Sequence, residues 1–332
     1  MKMLWSDLHR QQTKRTNTER KQTIMKNLKL LSLLTILFIF NSCSNDDDSA
    51  PQLSEEEHIA QMIQEVKSTT SSFNNINTAM NAGWDTDLSG CVEHPTAGGM
   101  GHHYARLEYM DGRVNHLEPQ VLLYAMNENE EMEFLGVEYI VPFEILPADE
   151  EPPVLFYQEF HANQELGIWA LHVWTEKENA NGIFEDFNPT VSCDNWINYL
   201  INQVRTETAA YVDFNTATNA GWDTDLSGCV EHPSEGGMGH HFARLEYMDG
   251  RVNHLEPQVL LFNPDENDEM EFLGVEYIVP YAIHPADAEP PLLFNQQFHQ
   301  NEQLEIWALH VWTETENPSG IFYDWNPNVS CN

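Results

Sequence analysis

The chain has 332 residues, room for two domains with separate cores, since domains usually run to about 100–150 residues. Its 15 Lys and Arg face 53 Asp and Glu for a net charge of −38, and eight of the basic residues but only two of the acidic ones precede Cys43, so the remainder sets seven basic residues against 51 acidic ones. A surface of that sign repels phosphate, which excludes nucleic-acid binding and electrostatic attraction to anionic lipid; it suits solubility in salt or the capture of cations.

Residues 1–24 show no apolar periodicity and read as a mis-assigned leader ahead of a true start at Met25. Residues 25–42 read as a secretory signal: Lys26 and Lys29 form a basic region, and Leu28 to Phe40 is an apolar run too short to span a bilayer. Phe40-Asn-Ser-Cys43 resembles a bacterial lipobox, with Phe40 in place of the usual Leu, and the resemblance implies a lipidated Cys43. Residues 43–58, opening on Ser44-Asn-Asp-Asp-Asp48, resemble the acidic tether of such lipoproteins. The expected address is therefore the cell envelope, at the outer membrane and facing either side of it, with the membrane as a partner reached through the lipid.

Beyond the tether the chain is written twice. A shift of 138 positions superposes residues 59–193 on 197–331 without a gap, giving repeat domains at 59–193 and 194–332: Trp84 falls on Trp222, Glu138 on Glu276 and His172 on His310. Two copies are too few for a solenoid, and no linker separates them, so each is expected to be a domain and the two to pack as a pseudo-dimer. Four cysteines remain after Cys43. Of their three possible pairings, Cys91–Cys193 with Cys229–Cys331 keeps each copy self-contained, and each bridge would close a loop worth up to roughly 4.7 kcal/mol in the chain-entropy model.

Each copy opens on a helical pattern, Ile59, Met62, Ile63, Val66, Phe73, Ile76 and Met80, with Gly83 as C-cap. Asp85-Thr-Asp-Leu-Ser-Gly90 imitates the first half of a calcium loop, but position twelve is Thr96 and Pro95 intervenes, so a turn beside Cys91 is the expectation. Gly98-Gly-Met-Gly101 lacks the Lys and the following helix of a phosphate loop and is expected to allow a close backbone approach. Strands are predicted at 102–109, 120–126, 132–141 and 168–175, with a turn at Asp111-Gly112 and a Pro-rich loop at 147–153. One helix followed by a run of strands predicts an α+β fold, a helix packed on an antiparallel sheet in each copy.

The chemistry is expected where ionisable groups fall on apolar strands. His102, His103, Glu138 and His172, with His240, His241, Glu276 and His310 in the second copy, lie in strand patterns where a lone buried charge costs several kcal/mol, so they must find partners. Period-two alternation puts His103 with Ala105 and Leu107, His102 with Tyr104 and Arg106, and Glu138 with Phe134 and Ile140. Two arrangements satisfy them. Either one or both histidines of the pair converge with Glu138 and His172 on a transition metal, zinc or, beside Met100, copper, or Arg106 and Arg244 pair with the glutamates and the histidines make neutral hydrogen bonds. In the first arrangement Arg106 and Arg244 would serve a small ligand. Tyr104 cannot be an obligatory hydroxyl, because its counterpart is Phe242, and His161 reads as a surface residue.

The order Cys91-Val, Gly-Gly-Met-Gly-His102, Gly-Val-Glu138-Tyr, Leu-His172-Val-Trp and Asn-Pro-x-Val-Ser-Cys193 resembles a group of secreted bacterial proteins of unassigned function. The resemblance implies a tandem, lipid-anchored version of that domain and again the Cys91 with Cys193 pairing; it implies no activity. Two functions are compatible with the residues: an envelope module that binds a small ligand or metal, and a metal-dependent hydrolase or lyase in which Glu138 is the general base.

Overall fold

A computed structural model describes residues 53–331; the leader, the signal, Cys43 and most of the tether lie outside the described residues. The chain divides into two units, the first running to Ser192 and the second from Cys193 with the turn Met126–Glu131 counted in it, and each is an α+β fold.

In the first unit Ser54 opens helix α1 (Glu55–Thr70) with a capping box, its hydroxyl accepting from the Glu57 amide and Glu57 returning to the Ser54 amide. The helical pattern does not run unbroken to Met80. A 3-10 turn at Ser71–Asn74 leads to extended Asn75, whose side chain caps a second short helix, α2 (Ile76–Asn81). Gly83 then turns the chain at φ +105°, where a side chain would be strained.

Six antiparallel strands follow in the order β1-β2-β3-β4-β8-β7: β1 (Thr86–His94), β2 (Gly98–Ala105), β3 (Val121–Met126), β4 (Met132–Pro142), β7 (His161–Asn163) and β8 (Ile168–Val173). A two-residue ribbon, β5 (Val154–Leu155) with β6 (Gln158–Glu159), lies outside the sheet. One face of the sheet packs Leu122, Tyr124, Val137, Tyr139, Trp169 and Leu171 against Ile63 and Val66 of the helix. The other carries Leu123, Leu135, Ile140, Ala170 and Trp174, covered in part by Val191. The second unit repeats this with α3 (Asp194–Thr208), α4 (Phe214–Asn219), a ribbon of β13 (Leu292–Leu293) with β14 (Gln296–Gln297), and strands β9 (Thr224–His232), β10 (Gly236–Ala243), β11 (Val259–Pro264), β12 (Met270–Pro280), β15 (His299–Asn301) and β16 (Ile306–Val311) in the corresponding order β9-β10-β11-β12-β16-β15.

Three features depart from simple alternation. The acidic stretch at 85–90 is neither a calcium loop nor a terminal turn but a bulge inside β1: Asp87 pairs with Tyr104 and Cys91 with His102, so Leu88, Ser89 and Gly90 together oppose His103. The Asp87 carboxylate closes the bulge by accepting from the amides of Ser89 (3.3 Å) and Gly90 (3.0 Å). Phe134 does not share a face with Glu138; it belongs to the helix side. The ladder slips between Leu261 and Phe262 in the second unit, opposite Gly274 and Phe272, and the same break of parity falls between Phe134 and Glu138 in the first. Finally, Phe156 and Tyr157 at the tip of the β5–β6 ribbon both sit at positive φ (52° and 58°), an uncommon place for aromatics, which burial of Phe156 in the core offsets.

Both bridges are made. Cys229 and Cys331 are bonded with their Cα atoms 5.7 Å apart, and Cys91 and Cys193 are disulfide-bonded as well.

Candidate metal centre

Glu138 on β4 and His172 on β8 are direct neighbours across the ladder, as are Glu276 and His310. His103 on β2 lies two strands away from β4 on the same face, opposite Leu123 of β3. The sheet brings the three together: His103, Glu138 and His172 offer ligand atoms all within 4.8 Å of one another, and His241, Glu276 and His310 do the same; all six residues are buried.

The tautomers follow from the outer partners. Ser89, lifted by the β1 bulge, donates its single hydroxyl proton to the Gly90 carbonyl (2.9 Å), so its oxygen can only accept from His103 Nδ1, 2.9 Å away. Burial, with the charge of His172 adding to it, holds the His103 imidazole neutral, its pKa lowered to about 3. Its bare Nε2 therefore faces Glu138 Oε2 at 3.8 Å. His172 Nδ1 lies 3.2 Å from Asp186 Oδ1. Burial raises the Asp186 carboxyl, but the hydrogen bond and charge of His172 outweigh it and keep Asp186 ionised and accepting. His172 Nε2 is thus turned to Glu138 Oε1 at 3.7 Å, beyond hydrogen-bond reach.

Two imidazole nitrogens and a carboxylate converge, and neither imidazole reaches the carboxylate within hydrogen-bond distance. Glu138 Oε2 and His172 Nε2 are buried without a hydrogen-bond partner. In the second unit the two imidazoles hydrogen-bond to each other. Ser227 donates to Gly228 and accepts from His241 Nδ1, Asp324 accepts from His310 Nδ1, and the two Nε2 atoms face each other at 3.3 Å. Ligand atoms of a tetrahedral ion with bonds of about 2.0–2.1 Å stand roughly 3.3–3.4 Å apart. Unpaired, such an array costs several kcal/mol; a cation at its centre satisfies every member. Burial pushes the Glu138 and Glu276 carboxyls up from their ordinary range, with only partial relief from the neighbouring histidine. For His172 burial lowers the pKa, but Glu138 and Asp186 together outweigh it and raise it, so a proton on His172 competes with an ion for this place.

The other residues singled out in the sequence go elsewhere. His102 and His240 turn to the opposite face, where each Nδ1 pairs with the bulge aspartate, Asp87 or Asp225, at 2.8 Å; they are not part of the cluster, as strand alternation requires once His103 is. Arg106 and Arg244 do not reach the glutamates of the cluster. They pair with Glu108 and Glu246 and lie over Trp84 with Tyr109 and Trp222 with Tyr247, a cation–π arrangement remote from any small ligand at the cluster. Met100 lines the cavity beside the first cluster.

Sequence reasoning missed Ser89 and Asp186. Asp186 comes from the loop after β8, which is pinned by Trp174 (Nε1 to the Glu185 carbonyl, 2.6 Å) and by the exchange of Asn188 and Gly99 backbone bonds. The glycines explain themselves here, since a Cβ on Gly98 would stand 2.1 Å from the Asn188 carbonyl. His161 at the sheet edge also contacts Asp186, at 3.2 Å. A signal was present: between the copies Glu185 becomes Tyr323 and Phe187 becomes Trp325, yet the aspartate between them is retained.

No family model, curated protein or solved structure matches this chain.

Proposed function

We propose that each unit holds one divalent transition ion through His103, Glu138 and His172, or His241, Glu276 and His310, in a cell-envelope lipoprotein anchored through Cys43. The observation that carries this reading is the convergence of two Nε2 atoms and a carboxylate oxygen, with each histidine fixed from behind: Ser89 and Asp186 orient them as outer partners orient metal ligands elsewhere. Two histidines and one carboxylate suit Zn²⁺ or a similarly borderline ion, and three protein ligands leave a fourth position for water or a ligand. The same geometry argues against Glu138 as a general base, because it stands between both imidazoles in a ligand's place.

The test is metal analysis of the whole protein after equilibration with micromolar Zn²⁺ or Co²⁺ and removal of the excess. Two ions per chain are expected, one in either His172→Ala or His310→Ala, and none in the double variant. Uptake that is absent, or that the double variant leaves unchanged, overturns the proposal. In that event the raised pKa of His172 makes an imidazolium between Glu138 and Asp186 the alternative.

A further inference from the structure

The two clusters are alike, but the spaces in front of them are not. The first opens on a cavity of about 570 Å³, within the roughly 300–1,000 Å³ of small-molecule sites, whereas the second has about 150 Å³. The wall explains the difference. Gln164, Glu165 and Phe187 line the first cavity, whereas their counterparts Glu302, Gln303 and Trp325 do not line the second.

The first cavity is walled mainly by Leu88, Val92, Met100, Ile140, Leu166 and Phe187, and neither Lys nor Arg lines it. The charge of a divalent ion at its base is already met by Glu138 and by Asp186 behind His172, and Glu165 adds a negative charge to the lining. An anionic ligand would meet no countercharge there. Resting on the metal reading above, we infer that the first unit alone is a ligand site, taking a neutral, largely apolar small molecule that reaches the ion with a single nitrogen, oxygen or sulfur donor, while the second holds its ion with room for little more than water.

The test uses full-length protein with His310→Ala, which leaves the first ion alone, and with His172→Ala, which leaves the second. Both are loaded with Co²⁺ and titrated with imidazole and 4-phenylimidazole while the visible cobalt bands are followed. In the first unit both azoles shift the bands, and burial of the phenyl ring makes the larger one bind about tenfold tighter or better. In the second, 4-phenylimidazole gains nothing over imidazole. Should an alanine variant fail to fold, the unaltered two-ion protein gives the same answer, half of its cobalt signal responding to 4-phenylimidazole. A first unit that binds cobalt and imidazole but gives the phenyl group no advantage, or an equal advantage in both units, overturns the inference. Cobalt failing to bind at all is a different result, which removes the metal reading and the inference with it.

Discussion

The first and second clusters superpose in their chemistry while their walls diverge. His103 to Glu138 is 3.8 Å against 3.9 Å for His241 to Glu276, His172 to Glu138 is 3.7 Å against 3.6 Å, and both rear aspartates stand 3.2 Å from their histidines. The cavities nevertheless differ by hundreds of cubic ångströms. The geometry of the cluster therefore belongs to the strand ladder, which both copies share, while the space in front of it is set by the segments around the ladder.

The comparison breaks most severely if one bridge is removed. Cys229→Ser with Cys331→Ser opens a 102-residue separation in the second unit alone, at a cost of up to roughly 4.7 kcal/mol. Thermal unfolding then shows an early transition for the second unit and a retained one for the first; a single shifted transition would mean that the two do not melt independently. Next in size is His172→Ala in metal-free protein, which leaves Glu138 buried without its cationic neighbour and costs about 3–5 kcal/mol unless the carboxyl takes up a proton. Denaturant titration at pH 6 checks it, with His310→Ala as the matched variant expected to cost the same.

Asp186→Asn and Asp324→Asn sharpen the comparison without touching a ligand atom. Each is expected to weaken metal binding at its own cluster by about 10–100-fold and leave the other unchanged, read by competition with a chelator. The pH dependence has a defined sign. The folded pKa of His172 lies above its ordinary value of about 6.5, so the stability its charge contributes is complete below that pH and lost as pH rises through the folded value, while metal affinity climbs over the same window as the competing proton leaves. His310 behaves alike. The smallest effect lies at the ribbon tip: Asn tolerates positive φ better than Tyr, so Tyr157→Asn, which copies Asn295, gains about 0.5–1 kcal/mol less the loss of the exposed Tyr157 to His58 hydrogen bond.

How much of this could be read from residues alone follows the same division. Glu138 and His172 announced themselves because they interrupt apolar strands, where period-two burial leaves a charge no exit. Alternation separated His102 from His103 but could not say which of them joined Glu138, since that depends on which face the helix covers. Ser89 and Asp186 were out of reach for a different reason. One is raised by a bulge and the other carried by a loop, and neither position has a period from which its direction can be extrapolated. The bulge also hid β1 itself, because a strand containing Asp-Leu-Ser-Gly looks like a turn. The misplacement of Phe134 has the same cause, one slipped residue that reverses every side chain beyond it.

X-ray absorption at the zinc edge of the zinc-loaded protein tests the central claim most directly. Two imidazole nitrogens and a carboxylate oxygen at about 2.0–2.2 Å, with a fourth light atom completing the shell, are expected in both units. A shell dominated by sulfur at about 2.3 Å, or a spectrum that His172→Ala with His310→Ala leaves unaltered, would contradict it.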